Sequence, residues 1–418
     1  MKKTLLSAVV FTALLGVTNI VSADDGINIF NDIELHGEIR PRYEMADVDK
    51  ASTQTANAFT ARIHLAFSAG LFGIENLRTT LGIQSVNNFG YTNYNSTDNG
   101  HTEYDVIKDP QFAMLSEASL DYSIGKSDLH IGRSHLNIDN QRFIGTVAWR
   151  QNERSYDTLY VGSSAITNLD VLAAYVYGYQ GVGADETTET ASVLLHAKYR
   201  VMEALNITLY DYMLAIGKQG VDSDTYGLAL TGKIESGIDL AYRVEYAIQR
   251  DPSIEFKTSN LKADAEYYNL DLGANISGIL IGMNYEVLSG TDGSDGKTAF
   301  NPALGTNHKF NGWADVFYVA GVPTSGLKDA NARLGYSAKG FGKLLALYHN
   351  YRAEKTTLDN SDNLGSEIDF VYANKIPYVN GLTALVKYAS FFKGDVSNGF
   401  SASQNDKQVA WVQLDYKF

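Results

Sequence analysis

The chain has 418 residues, no cysteine, and 48 Asp+Glu against 34 Lys+Arg, a net charge of −14. Disulfides and thiolate metal sites are thereby excluded, and the acidic balance argues against nucleic acid as a partner. The 27 Tyr, 18 Phe, 37 Gly and only 6 Pro suit strands and turns, and a mean hydropathy of −0.18 conceals membrane character when only alternate residues face lipid. Residues 1–23 read as a secretory leader: a basic Met1-Lys-Lys-Thr, an apolar stretch from Leu5 to Val17, and a small-x-small cleavage site at Val21-Ser-Ala23. Its removal takes Lys2 and Lys3 with it and leaves a mature charge of −16. No later run of about 18 apolar residues offers a membrane helix. No linker or low-complexity tract divides residues 24–418, which read as one domain.

The mature chain alternates. Ile33, Leu35, Gly37, Ile39, Pro41 and Tyr43 interleave with Glu34, His36, Glu38, Arg40 and Arg42. Phe59, Ala61, Ile63, Leu65 and Phe67 interleave with Thr60, Arg62 and His64. Ile238, Leu240, Tyr242, Val244, Tyr246 and Ile248 do so with Asp239, Arg243, Glu245 and Gln249. Such segments of about 9–11 residues are long enough for tilted strands to cross a bilayer. A soluble sandwich would alternate too, but with strands of about 5–6 residues. Segments of this kind begin near residues 33, 58, 77, 113, 128, 156, 169, 191, 205, 224, 237, 262, 279, 328, 343, 363, 382 and 408, about 18 strands. Short turns such as Gly125–Ser127 and Met202–Ala204 alternate with long polar loops such as Phe89–Gln111, Leu136–Ser155 and Gly290–Leu327. That is the pattern of an all-β transmembrane antiparallel barrel with short periplasmic turns and long external loops. Pro41 alone falls inside a strand, and a bulge or partial pairing is expected there. In Gly290–Leu327, Trp313, Phe317 and Tyr318 suggest a loop that folds inward or caps the pore, and an extra strand pair is the competing reading.

The last residues sharpen the case. Ala410, Val412, Leu414, Tyr416 and Phe418 share one strand face; Trp411, Gln413, Asp415 and Lys417 share the other. A closing barrel strand reads this way. Phe418, with Tyr416 and Leu414, also resembles the sorting signal read by the barrel assembly machinery.

A stretch from Gly132 to Gln151, Gly-Arg-Ser-His-Leu-Asn-Ile-Asp-Asn-Gln-Arg-Phe-Ile-Gly-Thr-Val-Ala-Trp-Arg-Gln, followed by Ser155-Tyr-Asp-Thr158, resembles the porins of epsilonproteobacteria, similar in turn to the alginate-export barrels. Gly37–Glu44, His308–Asp315 and Ala338–Ala346 support the likeness, which runs over nearly all of the mature chain. It implies an 18-stranded barrel and passive diffusion of small solutes, but not alginate, because a polymer exporter wants a dense cationic channel. The family usually carries Gln after the Arg at position 133; here Ser134-His135 stand there.

Selectivity should depend on what narrows the barrel. The loop Leu136–Ser155 carries Asp139, Arg142, Arg150, Glu153 and Arg154 beside apolar Phe143, Ile144, Val147 and Trp149, the mark of a loop packed into the barrel mouth. Arg40, Arg42, Arg62 and Arg78 lie on polar strand faces and would form a basic wall opposite its acids. Alternatively they pair with Glu34, Glu38 and Glu44 and only hold the wall together. Arg133 shares the phase of the lipid-facing Leu129 and Ile131, which places it beyond the bilayer or after a bulge.

Enzymatic signatures are weak. The eight His show no metal spacing, and neither His-Glu-x-x-His nor Gly-x-Ser-x-Gly occurs. His130, His135 and Asp139 read as lumen or rim residues, and Asp292, Asp295, Asp359 and Asp362 as solvated loop acids rather than a calcium site. No cofactor is expected. The reading is an outer-membrane porin for small hydrophilic solutes and ions. The alternatives are a channel selective for carboxylates or sugars, an outer-membrane enzyme, which would show a nucleophile–base set near the rim, and an adhesive, plugged barrel. Outer-membrane lipid, small solutes and ions and the assembly machinery are the expected partners; monomer and homotrimer both fit.

Overall fold

The computed structural model describes residues 29–184, 186–217, 222–235, 237–254, 262–291, 296–319, 321–355, 361–395 and 405–418. The expected leader, residues 1–23, and Asp292, Asp295 and Asp359 lie outside the described residues. Eighteen long strands run through the chain: β1 (Phe30–Val48), β2 (Ala56–Leu71), β3 (Leu77–Asn87), β4 (Phe112–Ile124), β5 (Ser127–Ser134), β6 (Ser155–Ser163), β7 (Leu169–Gln180), β8 (Thr188–Met202), β9 (Leu205–Leu214), β10 (Ser223–Glu235), β11 (Asp239–Arg250), β12 (Lys262–Ile276), β13 (Ile279–Leu288), β15 (Leu327–Ala338), β16 (Gly342–Arg352), β17 (Asn363–Lys375), β18 (Leu382–Lys393) and β19 (Lys407–Lys417). The two-residue β14 (Lys297–Thr298) only pairs in parallel with the start of β12, inside a loop. Each long strand begins within three residues of its expected position. All pair antiparallel with their sequence neighbours, and β1 also pairs with β19, so the sheet closes. Closure leaves no backbone edge for lipid to meet. Among the described residues no helix is long and apolar enough to cross a membrane, and helix there is confined to single turns at Asn307–Lys309 and Val316–Val319.

Side-chain alternation sorts the two faces. Leu240, Val244, Val412 and Leu414 point out and are exposed on the isolated barrel, while Glu245, Trp411 and Gln413 point in and are buried. Outward aromatics gather in two girdles. Tyr226, Tyr246 and Tyr268 lie toward the long-loop end; Tyr336, Phe341, Tyr372, Tyr416 and Phe418 lie toward the short-turn end. Paired girdles of this kind bracket the apolar band of membrane barrels.

The seam carries two sequence-specific features. Pro41 causes no bulge. Its pairing with Ala61 of β2 is regular, and the β1–β19 ladder simply skips Arg40 and Pro41 and resumes in register at Arg42 with Gln413. A residue without an N–H leaves one rung empty rather than inserting a residue; the β1–β2 irregularity falls instead between Asn31 and Glu34. At the turn end, Phe418 N–H donates to the Gly37 carbonyl at 3.0 Å, and Gly37 N–H donates to the Phe418 carbonyl at 2.9 Å. The Phe418 ring lies over Gly37, where a Cβ would come within 2.2 Å of it. The chain's last residue thus closes the barrel against a glycine.

Candidate channel constriction

The loop between β5 and β6 and the long loop between β13 and β15 both turn into the lumen. The cause is apolar content that a solvated loop would expose. Leu136, Ile138, Phe143 and Ile144 of the first loop share one buried apolar cluster with Phe300, Leu304, Val316 and Phe317 of the second. Gly290–Leu327 is therefore a loop, and it folds inward; the Tyr318 side chain is outside the described set. Val147 has φ +56°, a conformation a β-branched residue seldom adopts. Full burial holds it there, with its N–H donated to Thr306 Oγ1 of the second loop at 3.3 Å.

Wall arginines hold the first loop down. Arg42 donates to Gln413 Oε1 at 2.9 and 2.6 Å and to the Trp149 carbonyl at 2.6 Å, with its guanidinium over the Trp149 ring at 4.3 Å. Arg40 donates to the Ala148 carbonyl at 2.9 Å and meets Glu38 at 2.5 Å. Arg62 pairs with Glu153 at 3.0 Å. Arg150 reaches Glu44 of the wall at 3.1 Å and Asp315 of the second loop at 2.6 Å. Burial alone would depress Arg150, but Glu44, Asp315 and Asp109 overcome it and raise its pKa. Burial likewise disfavours the Glu153 carboxylate, yet His135 and Arg62 hold it below its ordinary pKa.

The remaining residues of the expected constriction are dispersed. Arg142 is on the other side of the lumen, fully buried, forked onto Glu286 at 2.7 and 2.8 Å and bonded to Asn307 and Asn311 at 2.9 Å each. Arg154 donates to the Leu304 and Gly145 carbonyls at 2.6 and 3.0 Å, tying the two loops together. Asp139 pairs with Arg243, which also pairs with Glu245 at 2.7 Å. Arg78 stands apart at the turn end, 3.4 Å from Glu34. Arg133 does point outward, forked onto Asp157 at 2.7 and 2.8 Å near the loop end. Asp362 pairs with Arg352 at 2.7 Å, and among the described residues no group of three or more His, Asp and Glu could hold a metal ion.

Two features went unread in the sequence. Buried acids form an arc along the wall: Glu286 on β13, Asp329 on β15, and Glu367 and Asp369 on β17. All are inward, Glu286 and Asp329 two residues from the loop ends of their strands and Glu367 and Asp369 nearer the middle of β17, a signal visible once inward phases are compared between strands. The second is Lys387 of β18. Its ammonium lies 3.9 Å from the ring centres of both Trp149 and Trp313 and 5.2 Å from that of Trp411, the chain's three tryptophans. It donates to His308 Nε2 at 2.6 Å, and His308 Nδ1–H donates to Asp315 at 2.7 Å. Burial chiefly, helped by Lys387 and Arg150, pushes His308 down to about 3, so the ring is neutral and accepts from the lysine. One wall lysine thus pins both loops through aromatic faces. Sequence distance hides this contact, because Lys387 lies far from either loop along the chain.

The arrangement makes a polar lumen narrowed by two latched loops. No protein-family model and no curated protein matches the chain. Solved structures do. Acinetobacter baumannii OccAB4 superposes with a TM-score of 0.67 at 13% identity, over 94% of this chain and 100% of that one. Pseudomonas aeruginosa OpdO gives 0.72 at 13%, over 94% and 98%. Pseudomonas aeruginosa OpdK, crystallised with vanillate, gives 0.69 at 14%, over 93% and 99%. At such identities the likeness is one of fold: a closed 18-stranded barrel spanning essentially the whole of each chain.

Proposed function

We propose that this chain is an outer-membrane porin that passes small hydrophilic solutes and ions by diffusion. The observation that carries the reading is the pair of inward loops. They narrow a barrel of 18 strands, a size that otherwise leaves a wide aqueous channel, and ion pairs and an aromatic clamp hold them to the wall. In this reading the short turns face the periplasm, residues 1–23 direct export, the C-terminal Leu414, Tyr416 and Phe418 are read during assembly, and transport needs no catalysis. Kinship with the epsilonproteobacterial porins belongs to the same proposal and rests on Gly132–Gln151 and its supporting stretches. Arg40, Arg42, Arg62, Arg142 and Arg150 each face a carboxylate, so little unpaired basic charge is left to capture anionic solutes. That favours weak selectivity over a dedicated carboxylate channel. Swelling of proteoliposomes in small sugars tests it. Rates should fall steeply with solute size; rates equal to those of empty liposomes would overturn the proposal.

A further inference from the structure

On the lumen wall near the loop end of β5, three side chains line up. Ser134 Oγ lies 3.1 Å from His130 Nε2, and His130 Nδ1 lies 2.6 Å from Asp121 Oδ1. We propose that Ser134, His130 and Asp121 form a nucleophile–base–orienter set that hydrolyses small carboxylic esters entering the lumen, an activity beyond solute passage.

The backbone explains how two residues of one strand meet at a spacing of four. Positions 130, 132 and 134 share a face, and the middle one is Gly132. With no side chain between them, the imidazole lies along the strand and reaches the hydroxyl. Gly132 also has φ +126°, and a Cβ there would come within 2.2 Å of the Ala118 carbonyl oxygen. The base is fixed by two contacts. Its ring stacks on Tyr160 at 4.4 Å with an interplanar angle of 10°. Its Nδ1–H is held by Asp121, whose second oxygen accepts from Ser119 Oγ at 2.9 Å. That bond leaves Nε2 as the acceptor for the Ser134 proton, the tautomer a general base requires. His130 is 3% exposed, whereas Ser134 is half-buried and Asp121 is reached by solvent. Both distances fall within reach for proton transfer and for orientation of the base. Ser116 Oγ on β4 and Thr158 Oγ1 on β6, the strands flanking β5, are buried and without a hydrogen-bond partner.

The chemistry balances with water as the only co-reactant. Ser134 Oγ bonds to the ester carbonyl carbon while its proton passes to His130 Nε2. The carbon–alkoxy bond breaks and the alcohol leaves with that proton. Water repeats the sequence on the acyl-serine, releasing the carboxylic acid and restoring the hydroxyl. Sequence motifs miss this set because the partners come from two adjacent strands and no nucleophile elbow is involved.

The test uses the folded full barrel in detergent. A fluorophosphonate should modify it at Ser134, located by peptide mass, and p-nitrophenyl acetate should be hydrolysed at least about a hundredfold faster than by Ser134→Ala, the usual scale of general-base assistance. His130→Gln should lose the activity while keeping Ser134, and Asp121→Asn should lower it and shift its pH profile. Folding of every variant is checked by heat-modifiable mobility. A folded wild type that neither takes the probe nor outpaces Ser134→Ala would overturn the proposal, as would labelling that persists in Ser134→Ala.

Discussion

Replacing Arg142 with Ala should release the first loop from the far side of the lumen. The guanidinium is fully buried and makes four hydrogen bonds, two to Glu286 of the wall and one each to Asn307 and Asn311 of the second loop. Removing one partner of a buried ion pair costs about 3–5 kcal/mol, because the other charge is left stranded. Here Glu286 keeps two donors, Tyr267 Oη–H at 2.8 Å and Asn311 Nδ2–H at 2.7 Å. The loss therefore belongs at the lower end, about 3 kcal/mol. At 1.4 kcal/mol per tenfold, that weakens docking of the loop by roughly a hundredfold. The barrel itself should survive, since its strand ladder contains none of these bonds. Single-channel recording should show larger or noisier openings than wild type, while heat-modifiable mobility and strand content stay the same. Wild-type conductance and noise in a folded Arg142→Ala channel would refute the claim that this fork holds the constriction.

Three further outcomes follow from the same structure. Leu240→Arg or Val244→Arg, on the exposed outer face, should cost roughly 2–4 kcal/mol in folding titrations from lipid if the site is near mid-membrane; an unchanged midpoint would place these residues away from lipid. Deleting Phe418 removes the last rungs to Gly37 and should cut the yield of inserted, heat-modifiable barrel in cells, whereas normal yield would show that the tail is not read during assembly. Lowering pH from about 6.5 toward 3 should loosen the loops. His308 has an ordinary pKa of 6.5 and is held near 3 when docked, so an undocked loop takes up a proton that the docked one refuses, and docking weakens as pH falls through that window. Trp149, Trp313 and Trp411 surround the site, so tryptophan emission should change between pH 7 and 4, and His308→Gln should flatten the response; an unresponsive wild type would contradict the assignment.

Strand number and phase were legible because a barrel wall has one rule, alternation against two different solvents, and it repeats in every strand. Leu240, Val244, Val412 and Leu414 obey it without tertiary help. The inward folding of Leu136–Ser155 was also legible, from Phe143, Ile144 and Val147 among charges. The partners were not. Arg142 meets Glu286 across 144 residues, and Arg42 meets Gln413 across 371; which inward residues face one another depends on register around the whole ring and on where each loop lands. Pro41 stands out in the sequence, but its consequence depends on which neighbouring strand its missing N–H would face. The Ser134–His130 contact depends on Gly132, whose role as an empty position between them appears only when the strand is built.

Two latched loops should narrow the barrel and still leave a conducting channel. Planar-bilayer recording of the purified, folded protein tests this, and discrete ohmic steps are expected. In a salt gradient the reversal potential should show weak cation selectivity, because the wall arginines are paired and the acidic chain, at a net charge of −14, sets the field at the mouth. A folded barrel that inserts yet gives no steps above the bare bilayer would show that the two loops plug the barrel and do not merely narrow it.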